Sequence, residues 1–215
     1  MYRPEQFIEN DTKILHGLMR QYSFATVVTQ RDGEMCANHF PLLLDETRGR
    51  HGTLIGHMAK NNSQWRDFQT DSEVLVIFQG PHGYISPSWY EREPVVPTWN
   101  YAVVHVYGKG RIIEEAGALL AVLEKSVQHY ESHYENPWPF QLAEERREKV
   151  LSAIVGFEID IERLEGKFKL SQNRGVTERQ NSSGALRESS SPRDVALGEF
   201  MSAMLSIGAA GGGRE

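Results

Sequence analysis

The sequence contains very little cysteine, and this scarcity limits how the chain can be stabilised. Its 215 residues include a single cysteine, Cys36. One thiol cannot form an intrachain disulfide, so the stability must come from a hydrophobic core, which a chain of this length can bury. The first residues, MYRPEQFIENDT, also lack a basic segment followed by an apolar one. Together these features predict a cytoplasmic protein.

Long apolar stretches and concentrations of positive charge are missing as well. No apolar run approaches the roughly 20 residues needed to cross a bilayer, so we expect no membrane association. The chain has 23 basic and 29 acidic residues, a net charge of −6, which disfavours a broad nucleic-acid surface. The Arg146-Arg147 pair lies between glutamates, as in a solvated helix face. DNA as a partner is therefore only weakly supported.

Several motifs of catalysis are absent. No pair among His39, His51, His57, His82 and His105 has the i, i+4 helical spacing of zinc ligands, so no metal site is expected. Ser86 and Ser88 flank Pro87 without a G-x-S-x-G nucleophile motif, and no Walker loop for nucleotide phosphates occurs. The sequence thus favours neither a metalloenzyme nor a serine hydrolase.

What the sequence does contain is a succession of strand patterns. The Asp32-Gly33 pair predicts a tight hairpin turn between strands at 24–30 and 35–45, and Pro41 favours an edge position or a bulge. The other predicted elements are strands at 53–59, 73–80, 99–113 and 150–166, and helices at 4–20, 60–68 and 115–135. Within 99–113 the small apolar residues alternate with aromatic residues and a histidine, so one face is predicted to be core. These patterns predict a mainly β fold with added helices, arranged as a closed or half-open barrel.

The composition changes after residue 174. The segment RGVTERQNSSGALRESSSPRD is rich in serine, arginine and glutamate and has no aromatic residue. This composition is typical of flexible chain. We therefore predict a domain at 1–174 and a flexible tail at 175–215, with a possible short helix at 195–207.

The segment GHMAKNNSQW, residues 56–65, has two interpretations. It follows a strand and supplies Lys60, Asn61, Asn62 and Ser63 at the start of a predicted helix. Ammonium, amide and hydroxyl donors at a helix N-terminus suit a phosphate group. The same residues also suit a solvated lysine followed by an ordinary helix cap. Taken alone, the local sequence favours the second interpretation.

Three longer stretches resemble a known family. YISPSWY (84–90), VPTWNYAVVHVYG (96–108) and EGKFKLSQNR (165–174), in this order and spacing, are similar to the PaiB-type FMN-binding negative transcriptional regulators. MYRPEQF at the N-terminus and ANHFPLLLD (37–45) fit the same family. The resemblance extends from residue 1 to about residue 174.

The resemblance implies a flavin-reductase-like split β-barrel that binds FMN and forms a homodimer with the cofactor at the subunit interface. It also implies that Lys60 meets the FMN phosphate. Flavin rings need an apolar or aromatic wall and a few placed donors. The remaining implied cofactor residues are Asn38, His39, His57, Asn61, Ser86, Trp89, Trp99 and Asn100.

The resemblance implies gene repression with the flavin as ligand or redox signal. An FMN-dependent oxidoreductase on the same fold is the alternative, and it would need a second pocket beside the flavin ring, for example near His105 or Tyr107.

Overall fold

A computed structural model describes residues 1–90 and 96–211, and the side chains through residue 207. In chain order, the strands are β1 Ile8–Glu9, β2 Phe24–Arg31, β3 Glu34–Pro41, β4 Leu43–Asp45, β5 Thr53–Ala59, β6 Glu73–Ile85, β7 Thr98–Ile113 and β8 Ile154–Lys169. The α-helices are α1 Thr12–Gln21, α2 Ala116–Glu131, α3 Glu144–Ser152, α4 Val176–Arg187 and α5 Pro192–Gly211. Short 3₁₀ helices cover Glu5–Phe7, Ser63–Gln69 and Pro87–Trp89.

The strands form one sheet in the order β3-β2-β6-β7-β8-β5-β4, and β1 pairs with β8. The pairs β1–β8, β2–β3, β2–β6, β4–β5 and β5–β8 are antiparallel. Asp32 and Gly33 both have positive φ, 54° and 85°, as a tight hairpin turn requires. Pro41 lies on edge strand β3, which confirms its predicted position. The sheet formed by the described residues is not closed. Of the two predicted arrangements, a closed or a half-open barrel, the structure has the half-open one.

Contacts within the chain define two compact units, and the segments of the two units alternate along the sequence. Unit 1 covers Met1–Asp11, Gln79–Val104 and Glu165–Glu215. Unit 2 covers Thr12–Phe78 and His105–Leu164. The sequence predicts a boundary at residue 174 instead. Strands β6, β7 and β8 each run from one unit into the other, and a long strand shared in this way gives no local signal of a boundary.

The core contains the apolar face predicted for β7. Ala102, Val104 and Val106 are fully buried. In unit 2, the ring of Phe157 packs between those of Phe40 and Phe68, at centroid distances of 5.7 Å and 5.0 Å. These contacts join β3, β8 and the 3₁₀ helix Ser63–Gln69 into one hydrophobic cluster.

Two helix boundaries differ from the sequence-based prediction. Residues 150–152 end α3, and β8 begins only at Ile154. At the N-terminus, α1 begins at Thr12, while the residues before it form a 3₁₀ turn and β1. An apolar run such as 150–157 fits either a strand or a helix end, so its periodicity alone cannot place the boundary. Among the described helices, none is long and apolar enough to cross a bilayer.

The segment expected to be flexible forms α4 and α5. The predicted helix at 195–207 lies within α5. Leu186, Leu197 and Met201 are buried, with exposed fractions of 2% or less. The two helices approach closely at Gly198, where a Cβ would lie 2.9 Å from the backbone oxygen of Ser183. Small residues permit this close contact between helices. The same residues make the composition of the segment resemble that of a flexible chain.

Leu197 tests whether α5 contributes to stability. We expect Leu197→Ala to lower the free energy of unfolding by about 2–5 kcal/mol, because it leaves a cavity among buried side chains. Ile207→Ala, on the same helix at a residue 52% exposed, should change it by less than about 0.5 kcal/mol. Urea unfolding followed by circular dichroism measures both. Equal effects of the two substitutions would contradict the docking of α5.

Candidate functional site

A cleft that contains Lys60 lies in unit 2. Its volume is about 830 Å³, within the range of pockets that hold small molecules and cofactors. The floor and walls come from the ends of β5, β7 and β8, from the 3₁₀ helix Ser63–Gln69, and from α2 and α3. The apolar lining residues are Trp65, Ile112, Ile113, Ala116, Leu119, Leu151, Ile154 and Val155. The polar and charged lining residues are Lys60, Glu114, Glu144, Arg147, Glu148 and Ser152.

Lys60 is fixed at the cleft by its backbone. Its N–H donates to the carbonyl oxygen of Ala153 at 2.9 Å, and its own carbonyl accepts from Trp65 Nε1 at 3.0 Å. The exposed side chain makes no ion pair with the described part of the chain. The position of the ammonium group therefore follows from the turn between β5 and the 3₁₀ helix, and the ammonium is available to a ligand.

The 3₁₀ helix after Lys60 is anchored by Gln64, which is 1% exposed. Its Nε2 donates to the carbonyl of Val27 at 3.0 Å and to Thr29 Oγ1 at 3.2 Å. Its Oε1 accepts from Asn38 Nδ2 at 3.0 Å. Asn62 caps the helix by accepting from the N–H of Gln64 at 3.1 Å. This network holds Trp65 at the cleft, and it occupies the amide of Asn38.

The helix α3 brings a second cation to the cleft. Arg147 Nη1 lies 2.9 Å from Glu144 Oε2, three residues earlier in the same helix. Arg147 Nε is buried and has no hydrogen-bond partner among the described residues. None of the nine residues of α3 is fully buried. The sequence predicts only a solvated helix face for Arg147. It cannot predict that Arg147 lines the same cleft as Lys60, because the cleft forms from segments far apart in the chain.

The other predicted residues of unit 2 lie outside the lining of the cleft. His57 is half-buried on β5, and burial lowers its pKa, which favours the neutral ring. Asn61 is exposed beside Lys60. His39 is exposed on β3 and stacks on Phe24 at a centroid distance of 6.1 Å. None of these three residues lines the Lys60 cleft.

His105 and Tyr107 also lie in unit 2, on β7. The Arg163 guanidinium covers the ring of Tyr107 at 3.5 Å from its centroid, so one face of that ring is already occupied. Neither residue lines the Lys60 cleft.

Four predicted residues belong to unit 1. Ser86 caps the 3₁₀ helix Pro87–Trp89 by accepting from the N–H of Ser88 at 3.2 Å, and Trp89 is half-buried. Trp99 is 48% exposed and meets Tyr84 edge-to-face at 6.4 Å. Asn100 is fully buried, and its Nδ2 donates to Ser171 Oγ at 2.9 Å. Trp99 is therefore not a core residue, whereas the amide N–H of Asn100 is used inside the unit.

The Lys60 cleft contains the two kinds of group that a flavin mononucleotide needs, beside the carboxylates of Glu114, Glu144 and Glu148. A phosphate needs cationic donors, which Lys60 and the partly unpaired Arg147 supply. An isoalloxazine ring needs an apolar wall, which Trp65, Leu119 and Ile113 supply. Leu119 and Ile113 pack directly against Gly156, where a Cβ would lie 2.9 Å and 3.1 Å from their side chains. The wall is thus built close to the β8 backbone.

The fold defines a class before any sequence is compared: a mainly antiparallel split-barrel-like sheet with helices, as in flavin-binding proteins. The flavocytochrome Anf3 from Azotobacter vinelandii superposes with a TM-score of 0.57 at 11% identity, over 78% of this chain and 72% of that chain. The FAD and heme binding protein from Mycobacterium smegmatis gives 0.55 at 14% identity, over 80% of this chain and 78% of that chain. At these identities the likeness concerns the fold.

The sequence then gives the family. Residues 1–163 match the family model described as "Putative FMN-binding domain". The chain is 41% identical over 206 residues to the Protease synthase and sporulation protein PAI 2 of Bacillus subtilis (strain 168), covering 94% of this chain and 96% of that protein. An uncharacterised protein of Emericella nidulans is 33% identical, over 83% of this chain and 87% of that protein. This chain belongs to the PaiB-type FMN-binding family, as the motifs predict, and its cofactor is FMN.

Proposed function

We propose that FMN binds in the Lys60 cleft, with its phosphate on the Lys60 ammonium and its ring against Trp65 and the apolar wall. The observation that carries this proposal is the presence of an available ammonium group, an indole and an aliphatic wall in one cleft of about 830 Å³. FMN supplies redox chemistry when bound. The role of this chain is to hold the phosphate, orient the ring and shield one of its faces from water.

We further propose that the protein is a negative transcriptional regulator for which FMN is the ligand or redox signal. The relative from Bacillus subtilis is named for protease synthesis and sporulation, and it covers nearly the whole of this chain. The net charge of −6 gives a broad DNA surface little support. Repression through a partner protein is compatible with this charge.

The test of this proposal measures FMN binding and transcript levels for the same variants. Purified protein is titrated with FMN, and binding is followed by quenching of flavin fluorescence. In cells that lack the gene, wild-type protein should restore the normal transcript profile, whereas a variant that has lost FMN binding should not. Failure to bind FMN at high micromolar concentration would refute the proposed site. Full restoration by a variant that binds no FMN would refute the flavin's regulatory role.

A homodimer is the proposed assembly. Phe24 and Met35, on β2 and edge strand β3, are 68% and 66% exposed, and a second subunit could cover such apolar surface. The mass in solution, measured by light scattering, decides this point. The residues Asn38, His39, His57, Asn61, Ser86, Trp89, Trp99 and Asn100 remain proposed cofactor residues, contributed by either subunit of such a dimer.

A further inference from the structure

The indole of Trp65 is only partly buried, so burial alone does not fix its position at the cleft. The guanidinium of Arg66 lies over one of its faces, 4.9 Å from the ring centroid, and its Nε1 donates to the carbonyl of Lys60. The 3₁₀ helix that carries it, Ser63–Gln69, has only seven residues. Such helices have poor hydrogen-bond geometry of their own. Contacts with the rest of unit 2 therefore decide where the indole lies.

A buried amide on this helix faces the β2–β3 hairpin. The Nε2 of Gln64 has three acceptors within 3.3 Å, which are the carbonyls of Val27 and Cys36 and the hydroxyl of Thr29. Its Oε1 accepts from Asn38 Nδ2 at 3.0 Å. An amide side chain offers two N–H donors and one carbonyl acceptor, so the hairpin uses the full capacity of this side chain.

A second buried polar side chain of the helix, Asp67, gives this contact a direction. Thr29 Oγ1 donates to Asp67 Oδ2 at 2.5 Å. Because its hydrogen is used there, the hydroxyl oxygen is left as an acceptor for Gln64 Nε2, 3.2 Å away. Gln64 and Asp67 are 1% and 3% exposed, and buried polar groups that lose their partners carry the cost of desolvation. The network therefore favours one arrangement of the helix on the hairpin.

We propose that Gln64 is a positioning residue for the flavin ring. It holds the 3₁₀ helix on the hairpin, so that Trp65, the next residue, meets the ring in one fixed orientation. Gln64 does not itself line the cleft. A binding surface that buried hydrogen bonds hold in place needs no rearrangement when the ligand enters. This inference rests on the proposed function, since it requires the ring to lie against Trp65.

A purely structural role for Gln64 is the alternative. Buried hydrogen bonds between a helix and a hairpin stabilise a protein whether or not it binds a ligand. In that case the loss of Gln64 would lower the free energy of unfolding and leave the flavin affinity of the folded protein unchanged. The effect on affinity therefore separates the two roles.

The experiment is a double-mutant cycle of Gln64→Met and Trp65→Ala. Flavin fluorescence quenching gives the dissociation constants of FMN and of riboflavin, which lacks the phosphate. Gln64→Met should weaken the binding of both by about fivefold, a typical value for an aromatic contact that loses its geometry. The two factors should be equal, because the backbone bond from Lys60 to Ala153 remains. In the Trp65→Ala protein, Gln64→Met should have no further effect on affinity.

Two controls separate position from stability. Gln69→Met makes the same substitution at an exposed residue of the same 3₁₀ helix. Val74→Ala removes buried methyl groups from β6, at a residue 1% exposed, so it lowers stability without removing a hydrogen bond of the network. We expect both proteins to bind riboflavin with wild-type affinity.

A measurement without flavin checks the position of the indole directly. The emission of Trp65 is the difference between each protein and the same protein carrying Trp65→Ala. Acrylamide should quench this emission more strongly in Gln64→Met, and Gln69→Met should leave it unchanged. Thr29→Val, which removes the hydroxyl between Gln64 and Asp67, should change quenching and flavin affinity in the same direction by a smaller amount. Thr29→Val carries the whole test if Gln64→Met does not fold.

Each outcome decides between the roles. Wild-type riboflavin affinity in a folded but less stable Gln64→Met or Thr29→Val protein would make the network purely structural and refute the inference. An equal loss from Gln64→Met with and without Trp65 would show that it does not act through the indole. A larger loss for FMN than for riboflavin would assign Gln64 to the phosphate instead of the ring. These three results leave flavin binding intact, whereas a wild-type protein that binds neither flavin refutes the proposed function and the inference with it.

Discussion

Replacing Lys60 by glutamine is expected to raise the dissociation constant for FMN about tenfold, because a charged hydrogen bond to phosphate contributes about 1.5 kcal/mol or more. The substitution removes the charge and retains a side chain of similar length. It should not disturb the turn, since the backbone N–H and carbonyl of Lys60 make their bonds to Ala153 and Trp65 independently of the side chain. Titration with FMN at low ionic strength, where exposed charges are least screened, measures the effect.

Lys149→Gln is the control for the Lys60 substitution. Lys149 is an exposed lysine on α3 that does not line the cleft, so its replacement changes the net charge equally. We expect it to leave FMN binding within about twofold of wild type, since Lys149 does not line the cleft and so donates no hydrogen bond to the phosphate. Riboflavin affinity should be unchanged in both variants. An unchanged FMN affinity in Lys60→Gln would assign Lys60 to the alternative role, a solvated lysine before a helix cap.

Replacing Gly108 by alanine is expected to lower the free energy of unfolding by about 3 kcal/mol or more, since overpacking of a rigid backbone contact has no easy relief. Gly108 lies on β7 at the end of the motif VPTWNYAVVHVYG. A Cβ at this position would overlap the carbonyl oxygen of Asp160 on β8 and would lie 3.3 Å from Ile159 Cγ2. The obstacle is backbone, which cannot rotate aside as a flexible side chain can.

Gly17→Ala is the control for Gly108→Ala, because the same substitution is expected not to lower the free energy of unfolding at this position. Gly17 is on α1, and a Cβ built there meets no atom within 4 Å. Alanine favours a helix over glycine by about 0.5–1 kcal/mol, so this variant should be equally stable or more stable than wild type. Urea unfolding followed by tryptophan fluorescence compares the two. If Gly108→Ala lowers the free energy of unfolding by less than about 1 kcal/mol, the prediction is wrong, and β7 and β8 separate easily at this point.

The family could be recognised from the sequence because its motifs are local. YISPSWY, VPTWNYAVVHVYG and EGKFKLSQNR are contiguous, and the membership that they predict is confirmed by a match over residues 1–163. Lys60 could be chosen only through this resemblance, since the ten residues around it by themselves favour a solvated lysine before a helix cap. Arg147 could not be chosen, because nothing near it in the sequence distinguishes it from Arg146.

In the C-terminal segment the prediction from sequence was wrong. Its composition predicts a flexible tail, yet α4 and α5 bury Leu186, Leu197 and Met201. Serine and glycine lower the average hydropathy of the segment, but Ser183 and Gly198 are the residues that let the two helices touch. Composition counts residue types, whereas burial depends on which of them face each other.

By itself the sequence determined the hairpin at Asp32-Gly33, the buried face of β7 and the family, because dihedral preference, strand alternation and contiguous motifs are all encoded within a few residues. Only the tertiary structure decided that Lys60 shares a cleft with Trp65 and Arg147, and that α4 and α5 are docked helices. These features arise where segments far apart in the chain approach each other. Such approaches depend on the packing of the whole sheet and leave no periodic trace in the sequence.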